Sequence, residues 1–275
     1  MIPKIIHYCW FGGASKSVLI ENCIKTWRQH FPDYEIRCWT ENDFDVNSVD
    51  FVKEAYDRGK WAFVADYVRL YALNTIGGIY FDTDVEVKRC FPESWRGYRF
   101  YSAVELHPDL FYPAGEEKLD RNYLPKVAGT DINGFSVFSA VMAAEAGHPY
   151  VVDCLQKYRS ISFIGDDGTL NTKKFIIGAI LSEVAESYGF RYRNEHQSLE
   201  SGVEIFPADV LVGNTALLTS ESYVIHHVNG SWVDRSAYGQ FLYKIRNWHP
   251  WLYPYIEFIY RVVRKLKRVL RGLWQ

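Results

Sequence analysis

The sequence predicts an α/β fold, and three observations carry it. The chain opens as strand, helix, strand: residues 2–10 are apolar and β-rich, residues 17–30 have helical periodicity, and residues 34–40 alternate. A helix at residues 61–76 is then closed by Gly77-Gly78, since glycine takes the left-handed conformation that ends a helix. The apolar run Ile79-Tyr80-Phe81 follows as a buried strand, with Asp82-Thr83-Asp84 at its carboxyl end. Ligands of open α/β sheets bind at that edge, and a strand–helix–strand opening starts a nucleotide-binding half-domain.

Each element follows from its residues. In residues 17–30 the buried set is Val18, Ile20, Cys23, Ile24 and Trp27, and Phe31-Pro32 ends the helix. Residues 49–58 form a second helix. Residues 61–76 are apolar on nearly every side, which marks a buried helix. Asp66 and Arg69 interrupt that surface and, three apart, share a face. Val85 and Val87 continue the strand beyond Asp84, residues 92–96 turn, and residues 98–105 form a further strand. Residues 107–126, rich in Pro, Gly and charge, are expected to be a mobile loop near the site. Asp131-Ile132-Asn133-Gly134 precedes an apolar run at 135–138. Residues 149–159 and 170–188 read as helices, with Asp166-Asp167-Gly168 as a loop between them. Strands at 203–207 and 223–228 follow, the second running on as H-H-V-N-G-S-W to Trp232. Phe11-Gly12-Gly13 after the first strand is a place where backbone amides can approach a phosphate.

At 275 residues and 48% hydrophobic content the chain has a substantial core. A net charge of −2 gives no reason to expect nucleic acid. Five scattered cysteines without C-x-x-C spacing fit a reducing compartment better than a disulfide framework or a zinc site. No signal peptide is expected, because Lys4, His7 and glycines interrupt the opening apolar run. No segment reaches the ~20 apolar residues needed to span a bilayer. Phe258 to Gln275 carries six basic residues and no acidic one. From Trp248 onward the chain predicts a helix with Ile256, Ile259, Val262, Val263, Leu266, Val269, Leu270 and Leu273 on one stripe and cations on the rest. Such a helix lies at an anionic membrane surface or packs on the domain; the missing acids favour the membrane. The expected division is therefore 1–247 as the α/β domain and 248–275 as an interfacial helix.

The acidic pair has a chemical reading. Carboxylates one residue apart repel unless a cation sits by them, and Mg²⁺ or Mn²⁺ takes such oxygens together with substrate phosphates. A solvated turn is the alternative for an isolated D-x-D; the helix, the Gly-Gly break and the strand that aim it at a sheet edge favour the cation. His7 shares alternation parity with Ile5 and Cys9, so it reads as a core histidine. Trp10 reads equally as a core residue or an exposed platform, and Asn133 as a turn residue or a ligand contact. His226 and His227 point oppositely, so one of them at most faces the site.

The run A-D-Y-V-R-L-Y-A-L-N-T-I-G-G-I-Y-F-D-T-D resembles the D-x-D sugar-binding region of the glycosyltransferase family 32 group. That group includes bacterial capsule and lipopolysaccharide sugar transferases, yeast initiating mannosyltransferases and clostridial glucosylating toxin domains. The shared pattern fixes seven positions from Asp66 to Asp84. The opening I-P-K-I-I-H-Y-C-W and the closing H-H-V-N-G-S-W are also similar to the group, whereas its T-G-P segment is missing here, which leaves the acceptor side undefined. The resemblance implies a GT-A type fold, a nucleotide-diphosphate sugar donor with UDP favoured, and retention of anomeric configuration. It implies Mn²⁺ or Mg²⁺ on Asp84, with Asp82 assisting and His226 as the facing histidine. Asp66 and Arg69 would grip the donor, Trp10 would stack on its base, Asn133 would lie by its sugar, and Ser231 and Trp232 would face the diphosphate. The expected acceptor is a glycan, as a lipid-linked surface-polysaccharide intermediate, met from the cytoplasm on the inner membrane face. Two rivals are a haloacid-dehalogenase-type phosphatase, whose D-x-D strand opens the core, and a non-catalytic membrane-associated sugar-binding protein.

Overall fold

Helix α3 (Trp61–Ile76) is buried on most sides, as its all-round apolar surface requires. It lies against β1 (Ile5–Cys9) and between helices α2 (Asp50–Tyr56) and α5 (Pro149–Arg159). The computed structural model describes the whole chain except residues 166–167, 172–175, 231–235, 257 and 260–275, and the side chain of Tyr238.

The opening unit is as expected. β1, α1 (Val18–His30) and β2 (Glu35–Trp39) form a parallel crossover, and β3 (Gly78–Phe81) joins β1 on its other side, also parallel. Ser17 caps α1 by accepting from the Ile20 amide. The sheet then turns mixed. β7 (Val141–Ala144) inserts antiparallel between β3 and β5 (Phe100–Leu106), and β9 (Val203–Phe206) runs parallel to β5 with β8 (Gln197–Ser198) at the edge. β6 (Phe135–Val137) pairs with the far end of β5. Two antiparallel steps through β7 make β5 parallel to β3, so their carboxyl ends open on one edge. This mixed sheet with helices on both faces is the α/β, GT-A type arrangement that the resemblance implies.

Alternation along the strands sorts the core into two layers. Tyr80, Phe100 and Val104 face α2, α3, α5 and α6 (Ile177–Glu186). Ile79, Phe81, Tyr101 and Ala103 face α1 and the second sheet. That sheet is the first departure from expectation. β4 (Val85–Val87) does not prolong β3. The chain turns at Asp82, whose carbonyl accepts from the Val85 amide (3.0 Å). β4 then pairs with β11 (Val224–His226), which runs beside β10 (Leu211–Val212). The Trp27 indole donates to the Val85 carbonyl (2.7 Å) and locks α1 on this sheet.

Other departures are local. Leu170 bridges to Ile164, so the helix expected over 170–188 begins only at Ile177. Residues 107–126 are not featureless: they hold a short helix α4 (Pro108–Leu110) and two more helical turns, anchored by buried Phe111 and Leu119. Helix α7 (Ala237–Trp248), capped by Ser236, packs on α1 and has no forerunner in the sequence reading. The stripe expected from Val262 to Leu273 lies outside the described residues.

Gly78 shows how tightly β3 is held. Its φ is +120°, and a Cβ there would meet the Ile5 carbonyl at 2.6 Å and His7 Nε2 at 3.0 Å. Gly78→Ala is expected to cost about 3 kcal/mol from strain and clash, a drop of about 6–12 °C in melting temperature. An unchanged melting curve by circular dichroism would contradict that packing.

Candidate functional site

The site is built where β3 ends. Arg69, on α3, is buried and shared by two carboxylates. Its Nη2 lies 2.8 Å from Asp66 Oδ1 and 3.2 Å from Asp82 Oδ1. Nη1 donates to the Ser139 carbonyl (3.0 Å), Nε donates to the Ala65 carbonyl (3.2 Å), and the guanidinium stacks over Tyr80 at 4.7 Å. The Tyr80 hydroxyl donates to Asp82 Oδ1 (2.8 Å). Burial pushes the Asp66 carboxyl up to about 7, against the pull of Arg69. Burial works against the Arg69 charge, yet the carboxylate of Asp82 leads the groups that hold its pKa above the ordinary value.

Asp84, in the turn between β3 and β4, is almost fully buried. Pairing of β11 with β4 sets His226 opposite Val85, one residue beyond Asp84. His226 Nε2 lies 3.1 Å from Asp84 Oδ1 and 4.0 Å from Asp82 Oδ2. The Asn229 amide donates to Asp84 Oδ2 (2.7 Å). Burial opposes the Asp84 charge, but His226 and that amide outweigh it and hold the carboxyl well below its usual range. Burial likewise opposes protonation of His226, and the carboxylates, Asp84 foremost, push it up to about 9.

Asp82, Asp84 and His226 bring one ligand atom each within 4.8 Å of one another. Neighbouring ligands of a cation with bonds of about 2.1 Å sit roughly 3 Å apart, so small rotations suffice to close the set. Two carboxylate oxygens and one imidazole suit Mn²⁺ or Mg²⁺, the nitrogen favouring Mn²⁺. His227 faces away and pairs with Glu86 (3.0 Å). The His226 proton gives a test. A cation must displace it, so Mn²⁺ affinity should rise about tenfold per pH unit from pH 6.5 towards 9. In chelator the sign reverses. The folded pKa lies above the unfolded 6.5, so the ion pair's stabilisation is complete below pH 6.5 and lost as pH rises through about 9. Titration calorimetry and melting at pH 6.5, 7.5 and 8.5 check both trends.

The other expected residues are placed differently. Trp10 is half-buried, donates to the Ala14 carbonyl (2.7 Å) and has the Lys16 ammonium 5.1 Å from its ring centroid. The Gly12 amide is taken by Glu41 (2.7 Å), so it is not poised for a phosphate. Asn133 is exposed in the turn ahead of β6, and no hydrogen bond joins it to the carboxylates or to His226. Ser231 and Trp232 lie outside the described residues. His7 is a core residue, with Nε2 at 2.8 Å from the Gly77 carbonyl and Nδ1 accepting from Trp39.

Three residues were given no site role from the sequence. Tyr80 holds Asp82. Asn229 holds Asp84 and exchanges two amide bonds (both 2.8 Å) with Asn247, which in turn accepts from Ser17 (2.9 Å). The α1 cap and α7 thereby brace the Asp84 carboxylate. The signal for Tyr80 lay within G-G-x-Y, and that for Asn229 within H-H-V-N-G.

Residues 17–101 match the family described as "Glycosyltransferase sugar-binding region containing DXD motif". That stretch, similar to a DXD glycosyltransferase region, holds Asp66, Arg69, Asp82 and Asp84. Inositol phosphoceramide mannosyltransferase 3 of Schizosaccharomyces pombe is 29% identical over 174 residues, 59% of this chain and 38% of that protein. A glycosyltransferase of Acanthamoeba polyphaga mimivirus is 29% identical over 143 residues, 48% of this chain and 51% of its own. The matched stretch thus spans about half or less of these relatives. Among solved structures, the PaToxG glycosyltransferase superposes with a TM-score of 0.45 at 16% identity, over 68% of this chain and 69% of that one. A glycosyltransferase involved in glycosylation of the major capsid of PBCV-1 gives 0.40 at 10% identity, over 82% and 93%.

Proposed function

We propose that the chain is a metal-dependent glycosyltransferase that moves a hexose from a nucleotide-diphosphate sugar, UDP-linked in preference, to a glycan. The observation that carries this reading is the convergence of Asp82, Asp84 and His226 on the sheet edge where Arg69 also gathers Asp66. A divalent cation held there offsets charge on the departing diphosphate. Asp84 and His226 would ligate it, with Asp82 beside them. Asp66, part-protonated near neutrality, is suited to hydrogen-bond sugar hydroxyls as donor or acceptor. Arg69 fixes both carboxylates at the spacing the sugar meets. Retention is the stereochemistry we adopt.

The phosphatase reading is weaker, since its first aspartate must be a free nucleophile. Here Asp82 already accepts from Tyr80 and faces Arg69. A non-catalytic sugar-binding role gives no reason to bring two carboxylates and an imidazole together at the sheet edge. The test is thermal shift and hydrolysis across UDP- and GDP-sugars with and without Mn²⁺. A donor at one hundred times its Kd should add about 2.7 kcal/mol of stability, in Mn²⁺ only. A shift equal in chelator would remove the metal from the reading.

We further propose that residues 248–275 are a membrane-interface segment attached to a 1–247 domain and bring the enzyme to a lipid-linked acceptor on the cytoplasmic face. Among the described residues, no helix is long and apolar enough to cross a membrane. Trp251, Tyr255, Phe258 and Ile259 are exposed, and six cations follow within the tail. Each cation contributes about 1 kcal/mol at an anionic surface. A chain cut after Trp248 keeps Asn247 and should still hydrolyse donor, while no longer co-sedimenting with anionic vesicles. Equal sedimentation of cut and full chains would make the tail a packing helix.

A further inference from the structure

Residues 226–229 meet Asp84 at three points. His226 faces Oδ1 (3.1 Å), the His227 amide donates to the Asp84 carbonyl (3.0 Å), and the Asn229 amide donates to Oδ2 (2.7 Å). The amide on Oδ2 fixes the carboxylate so that Oδ1 faces His226. The backbone does not adopt this turn unaided. Val228 has a φ of +47° and Gly230 a φ of +56°. A β-branched residue rarely enters that left-handed region, and it stays there only where surrounding contacts hold it.

The last turn of α7 supplies such contacts. Arg246 donates to the His227 carbonyl, and Asn247 exchanges two amide bonds with the Asn229 side chain (both 2.8 Å). Asn247 is buried and uses its whole amide. Its Oδ1 accepts from Asn229 and from Ser17 (2.9 Å), and its Nδ2 donates to Asn229 and to the Tyr243 carbonyl (2.9 Å). An aspartate of the same size could only accept. These bonds tie the turn at once to α7 and to the cap of α1. Removing a group that orients a metal ligand typically lowers metal affinity about ten- to a hundredfold.

We propose that Asn247, acting through Asn229, is a positioning residue of the cation site and makes docking of α7 a condition of tight cation binding at Asp84; this rests on the metal-dependent reading. Asn229→Ala keeps the backbone amide that donates to Asp84, so a loss of affinity there comes from its placement. Titration calorimetry should show Mn²⁺ affinity lowered about tenfold in Asn229→Ala and in Asn247→Ala. The double variant should be no weaker than either single, because both act through one contact. Tyr150→Phe is the control. It loses a buried hydrogen bond to the Leu181 carbonyl, and should melt lower with Mn²⁺ affinity within about twofold of wild type.

The wild type gives a readout that depends on no variant's folding. Coupling is reciprocal, so saturating Mn²⁺ should slow hydrogen exchange of the amides at 245–248 about tenfold. Wild-type affinity in both single variants overturns the inference, and so does a double variant weakened by the product of the singles. Equal weakening in Tyr150→Phe would make affinity follow stability and overturns it too, as does exchange at 245–248 that bound Mn²⁺ leaves unchanged. A wild type that binds no Mn²⁺ removes the metal-dependent reading itself, and the positioning role falls with it.

Discussion

Asp84→Asn is expected to lower sugar transfer at least about a hundredfold while the protein stays folded. The asparagine keeps an oxygen for the Asn229 amide but loses the charge that binds a cation and pairs with His226. Asp84→Ala should be as inactive and also less stable. The sequence alone casts Asp82 and Asp84 as a repelling pair, whose relief stabilises the apoprotein. The structure assigns Asp84 two partners, so alanine strips the Asn229 amide of that acceptor at about 1–3 kcal/mol. The melting temperature of Asp84→Ala should fall about 2–4 °C for each kcal/mol lost. Steady-state transfer with Mn²⁺ titrated to saturation separates weak metal binding from lost chemistry. Wild-type activity of either variant in chelator would sink the metal-dependent reading.

The parts of this site that are legible in sequence are those encoded locally. Asp66 and Arg69 share a helix face by spacing, Gly77-Gly78 must end that helix, and an apolar tripeptide must then be buried. These inferences need no knowledge of distant chain. The parity argument for His226 and His227 is equally local, and the structure puts them on opposite sides of β11.

What was not legible depends on pairing across the chain. Val85 and Val87 alternate like a continuing strand, and only β11, nearly 140 residues later in the sequence, decides that they leave the main sheet. β7 is the Val141–Ala144 run, whose short apolar character does not separate strand from helix core. Helix α7 does carry apolar residues at helical spacing (Phe241, Leu242, Ile245 and Trp248), a legible stripe that the sequence reading passed over, but its value lies in one residue, Asn247, that no periodicity marks. The Ser139 contact to Arg69 is a backbone carbonyl and has no sequence signal at all. The Gly12 amide is settled in the same way by distant chain, because Glu41 from the next strand–loop unit takes it.

Arg69 is where the largest loss of stability is expected. Arg69→Ala leaves Asp66 and Asp82 in a buried site without their shared cation, at a cost of about 3–5 kcal/mol. That is a fall of about 6–20 °C in melting temperature. The Asp66 carboxyl, already pushed up by burial and now without Arg69, should take up its proton in the folded variant before it does so unfolded. Its stability should therefore rise as pH is lowered from 8 to 5. Asp66→Asn should behave oppositely. Its folded pKa of about 7 means that much of the neutral form is already present near neutrality, so the substitution costs little stability. Loss of transfer in Asp66→Asn then reads directly on the donor. The double variant Asp66→Asn/Arg69→Met removes one charge of each sign and should recover part of the stability, since Asp82 keeps the Tyr80 hydroxyl. If the pair serves only to neutralise itself, the double variant is active. If both groups contact the donor, it is folded and inactive, with unaltered Mn²⁺ affinity and no thermal shift from nucleotide sugar. Melting, Mn²⁺ titration and turnover on the two single variants and the double decide between these, and a folded, active double variant would falsify the donor role of Asp66 and Arg69.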